Sequence, residues 1–225
     1  ITAEVWWKDG ITGENPYHYD FMHEKAFPKL KSWGCECHTV RSDITAYDYM
    51  TTPIVKSKQH PERIGKLRGF PLCGRCGIQR DCKTRPCEKF YKKQKGDYTV
   101  ILGIANDEKD RILTNHANNK ISILEMLRVD EFETFPICSQ EHLLSPTYSF
   151  SYRGGCWFCP NQKIQEIELL YRCFPHLWQD LMEIQDMPNK VQEKFNRTQT
   201  LYDIEEQIKN GVQQKWFVGS LMKGG

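Results

Sequence analysis

Val5, Trp6 and Trp7 stand together near the start of the chain, and residues Thr2 to Trp7 read as a buried strand. The polar stretch Lys8 to Asn15 follows as a loop, and Pro16 suits the first turn of a helix. From Tyr17 to Trp33 the apolar residues Phe21, Ala26, Phe27 and Leu30 recur at roughly helical spacing, and Gly34 marks the end. Pro28 is expected to kink that helix. His38 to Arg41 reads as a second short strand. Strand, helix and strand with short links form a βαβ unit, which predicts a parallel sheet with helices on its faces.

Beyond Asp43 the pattern weakens. Polar and basic residues dominate up to Gly69, including Lys56, Lys58, Arg63, Lys66 and Arg68, and the stretch reads as an extended or mobile insertion. Pro86 to Lys95 predicts a helix. Val100, Ile101, Leu102 and Ile104 make Tyr98 to Ile104 the clearest strand in the chain. Ile121 to Val129 is apolar enough for one further helix or strand. From Ile164 onward the spacing is helical: Ile164 to Cys173, Pro175 to Met187, Asn189 to Phe195 and Tyr202 to Lys209. The organisation expected is an α/β domain over residues 1–160 and a mostly helical C-terminal region over residues 161–225.

At 225 residues the chain can bury a sizeable core. No apolar run approaches the ~18 residues of a membrane span. The first apolar stretch is broken at once by Lys8 and Asp9, unlike a secretory signal. A net charge of +2 gives no reason to expect bulk nucleic-acid binding. The ten cysteines change the picture more than the charge does. They include two close pairs, Cys73/Cys76 and Cys156/Cys159, within an ordinary α/β composition, which fits metal ligation in a reducing, cytoplasmic compartment better than a disulfide framework.

The strongest chemical signal is Gly155-Cys156-Trp157-Phe158-Cys159-Pro160. Two thiolates at this spacing bind one soft metal from a tight turn, which Gly154 and Gly155 permit. The pairs lie too far apart for a self-contained zinc ribbon, so the tertiary fold must close the site. Cys76, Cys156 and Cys159 are the firmest candidate ligands, and Cys73 or Cys82 the fourth. Zinc and an iron–sulfur cluster both accept four thiolates, so spacing leaves the choice open. A thiol–disulfide pair at Cys156/Cys159 is the weaker reading, because Trp157-Phe158 is not a usual redox dipeptide. Burial accounts better for Cys35, Cys37 and Cys173. The seven scattered histidines read as surface or packing residues. The basic run Lys56 to Arg68 reads as a solvated loop, able to attract a phosphate-rich ligand if ordered beside a site.

Five segments occur in a telling order: Gly69-Phe70-Pro71; Gln79 to Pro86; Gly103 to Arg111; Leu144-Ser145-Pro146-Thr147-Tyr148; and Arg153 to Pro160. Together they resemble the phosphoadenosine-phosphosulfate reductase family, with its adenine-nucleotide α-hydrolase-like fold, over about Thr2 to Trp178. The resemblance implies a Rossmann-like parallel sheet with helices on both faces. It implies that Asp9, Gly13 and Glu14 belong to an acidic loop lining a nucleotide, with Arg153 also on the nucleotide side. Lys83 resembles the lysine that meets a phosphate or sulfate. Asp107, Glu108 and Arg111 resemble an acidic-acidic-basic segment at the carboxyl edge of the sheet, where ligands bind in open parallel sheets. The bland reading of Asp107 and Glu108 is a solvated pair near a helix start.

Two departures qualify the resemblance. The family's Ser-Gly-Gly-Lys-Asp-Ser-type phosphate loop does not precede the first strand, and it is expected upstream of Ile1 in the parent protein. The nucleophilic cysteine of a C-terminal Glu-Cys-Gly-type tail has no counterpart after Cys173. The leading expectation is a reductase-family enzyme acting on ATP or phosphoadenosine phosphosulfate in sulfur metabolism, with zinc or a 4Fe-4S cluster and a thiol or sulfur-donor protein partner. An ATP-driven transferase inserting sulfur into tRNA or DNA is the alternative, with nucleic acid as the partner. A non-catalytic, metal-stabilised binding module is the third.

Overall fold

The computed structural model describes residues 1–71, 76–116, 120–151 and 154–211. It is a mixed α/β protein. Among the described residues every sheet is two-stranded, three parallel and one antiparallel, and the single Rossmann-like sheet is not among them. No described helix is long and apolar enough to cross a membrane.

The expected first strand is in fact two. Thr2–Glu4 runs parallel to Thr39–Arg41, in the register Thr2 to Thr39, and completes the expected βαβ unit. Trp6–Lys8 turns away to pair antiparallel with Ile11–Thr12 across the Asp9-Gly10 turn. Val5 divides them, and its carbonyl accepts the Gly13 N–H at 2.7 Å. Val5 and Trp7, two residues apart, are both fully buried, which directs one face of this segment into the core.

The following helix begins where expected, with Asn15 Oδ1 accepting the Tyr17 N–H at 3.1 Å. The helix widens into a π-helical turn at Met22–Ala26, and Phe27 N–H bonds back to the Met22 carbonyl before the regular helix resumes over Phe27–Ser32. The widened turn takes up the lack of a Pro28 N–H donor.

The expected insertion between Asp43 and Gly69 is ordered structure. Thr45 and Asp48 form a reciprocal capping box at the head of helix Ala46–Thr51, whose Ala46 and Met50 are buried. Leu67–Gly69 then forms a parallel pair with Lys190–Gln192. The helix expected at Asn189 to Phe195 is therefore wrong at this point. Lys190 is buried, and its Nζ donates to the carbonyls of Gln185 and Met187 at the end of helix Pro175–Asp186. A short amphipathic stretch cannot declare a strand partner more than a hundred residues away.

The chain divides into two compact units, one holding Ile1–Tyr91 and the described residues from Pro146 onward, the other Lys92–Ser145. The C-terminal helices Ile164–Cys173, Pro175–Asp186 and Leu201–Lys209 thus join the N-terminal strands, and one core contains Val5, Trp7 and Met50 with Leu181, Ile184 and Ile204. In the second unit Val100–Leu102 and Lys120–Ser122 pair in parallel on either side of helix Lys109–His116. The apolar stretch from Ile121 is both strand and helix, since helix Ile123–Met126 follows the strand directly.

Gly69 has φ +70°, and a Cβ there would lie 2.4 Å from the Gln192 carbonyl oxygen. The left-handed backbone alone costs an L-residue about 1–2 kcal/mol, and the carbonyl contact adds to it. Gly69→Ala should therefore lower the denaturant midpoint of the first unit by more than an ordinary surface substitution. An unchanged unfolding curve would contradict the close pairing with Gln192.

Candidate thiol and lysine site

Trp157 and Phe158, the two residues between Cys156 and Cys159, are each 1% exposed. Their rings lie 4.7 and 5.1 Å, centroid to centroid, from Trp7. Removing such a buried aromatic side chain costs about 3–5 kcal/mol, so this packing fixes the turn firmly. Backbone pairing adds to it. Trp157 N–H donates to Gly13 O at 3.1 Å, Asn15 N–H to Gly155 O at 3.3 Å, and the Trp157 indole N–H to Thr12 O at 2.8 Å. The approach is close enough that a Cβ on Gly13 would sit 2.9 Å from Phe158. Packing thus accounts for a glycine at position 13.

The same pairing sets Glu14 opposite Cys156. A third segment meets them there. Residues 77–91 form one helix, π-helical over Gln79–Thr84, and Cys76 stands at its head with its Sγ accepting the Gln79 N–H at 3.5 Å. From this helix Lys83 Nζ reaches Glu14 Oε1 at 2.8 Å, with the lysine side chain 34% and the glutamate side chain 13% exposed. The contact is a close, sheltered ion pair. Burial alone would drive Lys83 toward the neutral amine, but its acidic surroundings, with the Glu14 carboxylate in contact, outweigh it, and Lys83 is held above the ordinary lysine value. Burial pushes the Cys156 thiol well above its usual range, Lys83 opposing, and Glu14, Cys159 and Cys76 adding to the rise.

Sequence reasoning passed over His18. It lies in helix Pro16–Phe21, one turn beyond Glu14, and its imidazole is depressed by burial, with Glu14 opposing and Lys83 adding to the depression. The signal available was the Glu14-x-x-x-His18 spacing at a helix start.

The other candidate residues separate. Cys82 is 1% exposed, its thiol donates to the Ile44 carbonyl at 3.7 Å, and burial pushes it up to about 11. Burial favours its protonated, neutral form. Asp9 lies exposed at the tip of the hairpin turn. Asp107, Glu108 and Arg111 belong to the second unit, where each has a local partner. Asp107 accepts the Glu131 N–H at 3.0 Å, Glu108 accepts the Ala105 N–H at 3.2 Å, and Arg111 pairs with Glu108. Cys73 and Arg153 lie outside the described residues. Among the described residues no three His, Cys, Asp or Glu side chains are gathered into a metal-holding group. Comparison with family models, with curated proteins and with solved structures finds no match to this chain.

His18 gives the site a measurable pH signature. Its folded value lies below the ordinary 6.5, so the unfolded chain takes up the proton first and stability falls as pH drops below 6.5. His18→Gln should remove part of that loss between pH 7 and pH 5 in denaturant titrations. Identical pH slopes for the two proteins would count against this surrounding for His18.

Proposed function

We propose that the chain acts on an adenine nucleotide carrying a phosphate or sulfate oxyanion, as a sulfonucleotide-reductase-like or ATP-dependent sulfur-transfer enzyme of the phosphoadenosine-phosphosulfate reductase kind. One observation carries the reading. Three stretches central to the sequence argument, the Asp9 to Glu14 loop, Gln79 to Pro86 and the turn at Gly154 to Pro160, meet at the contact of Lys83, Glu14 and Cys156. Convergence of distant segments on one sheltered cation is what an oxyanion site requires.

The chemistry on offer follows from the charges. Lys83 stays an ammonium across the physiological range, anchored by Glu14, and supplies a fixed positive charge to an oxyanion. His18 stays a neutral imidazole near pH 7. The reading also carries a Rossmann-like arrangement, supported by the two βαβ units, one at Thr2–Glu4 and Thr39–Arg41 and one at Val100–Leu102 and Lys120–Ser122. The metal expected at Cys76, Cys156 and Cys159 remains a proposal from cysteine spacing. The described residues do not gather a metal-holding set, and no step here runs through one.

Calorimetry with ATP and with phosphoadenosine phosphosulfate tests the reading. Loss of one charge-assisted contact to an oxyanion costs about tenfold in affinity or more, so Lys83→Ala should weaken binding by at least that factor. Lys83→Arg should recover part of it. Equal affinity in the wild type and Lys83→Ala would overturn the assignment.

A further inference from the structure

The first unit contains a second concavity, of about 180 Å³, which shares no lining residue with the Lys83 contact. Its walls come from the segment expected to be a solvated basic loop. Arg63 and Arg68 line it together with Tyr49, Gln192, Phe70 and Ile54. The parallel pairing of Leu67–Gly69 with Lys190–Gln192 places Arg68 and Gln192 at one edge, and the close approach at Gly69 holds the two strands together.

Arg68 is the informative residue. Its Nη1 donates to the carbonyls of Tyr49 and Thr52 at 3.3 and 3.1 Å, at the end of helix Ala46–Thr51. Its guanidinium stacks over the Tyr49 ring at 4.9 Å. These contacts fix the group, and the Asp81 carboxylate feels its charge without pairing with it. Among the described residues no carboxylate lies in ion-pair contact with Arg68, and Arg63 meets just the exposed Glu62, at 3.7 Å. Ile54, Phe70 and Val191 give the cavity an apolar wall. A pre-positioned guanidinium, a second arginine and an apolar wall in one cavity suit an oxyanion attached to an apolar body.

We infer that this cavity binds a small organic phosphate or sulfate ester, with the oxyanion on Arg68 and Arg63 and the apolar part against Phe70 and Ile54. The inference stands on this cavity alone and does not depend on the nucleotide reading of Lys83.

Calorimetric titration of the full chain with phenyl phosphate, inorganic phosphate and phenol tests it. Phenyl phosphate should bind more tightly than inorganic phosphate, and phenol should not bind detectably. Arg63→Ala should weaken phenyl phosphate binding about tenfold, the loss expected for one charge-assisted contact. Arg68→Gln should abolish it, with circular dichroism confirming the fold. Arg68 also holds the end of helix Ala46–Thr51, so Arg63→Ala decides the matter if Arg68→Gln does not fold. Three results would overturn the inference: no binding of phenyl phosphate by the wild type, equal binding of phenol, or binding that survives both arginine substitutions but is lost in Lys83→Ala. The last would assign the anion to the Lys83 contact instead.

Discussion

The contact between Trp7 and the Trp157–Phe158 pair is the interaction on which the first unit depends. It joins the second strand to a turn about 150 residues later, and all three rings are almost fully buried. Loop closure over that distance has an entropic cost that rises only slowly with length, so a few buried aromatics can offset it. Once the rings are packed, the backbone of Thr12 to Asn15 lies alongside Gly155 to Trp157, and Glu14 has no choice but to stand opposite Cys156. The site is therefore a by-product of core packing on its other side.

Electrostatics then determines what that site can be. A sheltered ion pair is weak evidence for stability, because taking both charges from water costs as much as their attraction returns. Lys83 and Glu14 are better explained as a charge arrangement maintained beside two thiols, with the core supplying the stability. The π-helical stretch Gln79–Thr84 fits that view. It shifts the helix phase so that Cys82 enters the core while the adjacent Lys83 reaches Glu14. Widened turns of this kind are frequent where function has set the side-chain direction.

The second unit shows how motif order and motif geometry can part. Asp107, Glu108 and Arg111 form the acidic-acidic-basic run that suggested a ligand-facing edge, yet each is engaged locally around the start of helix Lys109–His116. Hydrogen bonds to nearby backbone and a short-range ion pair give those residue types a structural role there. The cavity at Arg68 is the opposite case, since a basic run that read as solvated loop lines an ordered concavity.

Local pattern was enough for much of this molecule. The helix from Pro16 to the Gly34 stop, the first βαβ unit, the strand at Val100–Leu102 and the helices Ile164–Cys173, Pro175–Asp186 and Leu201–Lys209 were legible, because caps, periodicity and apolar runs act over a few residues. The family resemblance also singled out Lys83 and Glu14, which the fold brings into one ion pair. What the sequence could not decide were the partners. The split of the first strand at Val5, the strand at Lys190–Gln192 paired with Leu67–Gly69, the burial of Cys82 and the meeting of Lys83 with Glu14 all depend on contacts between distant segments. Such contacts are settled by which apolar faces can be buried together, and that competition is resolved only when the whole core forms.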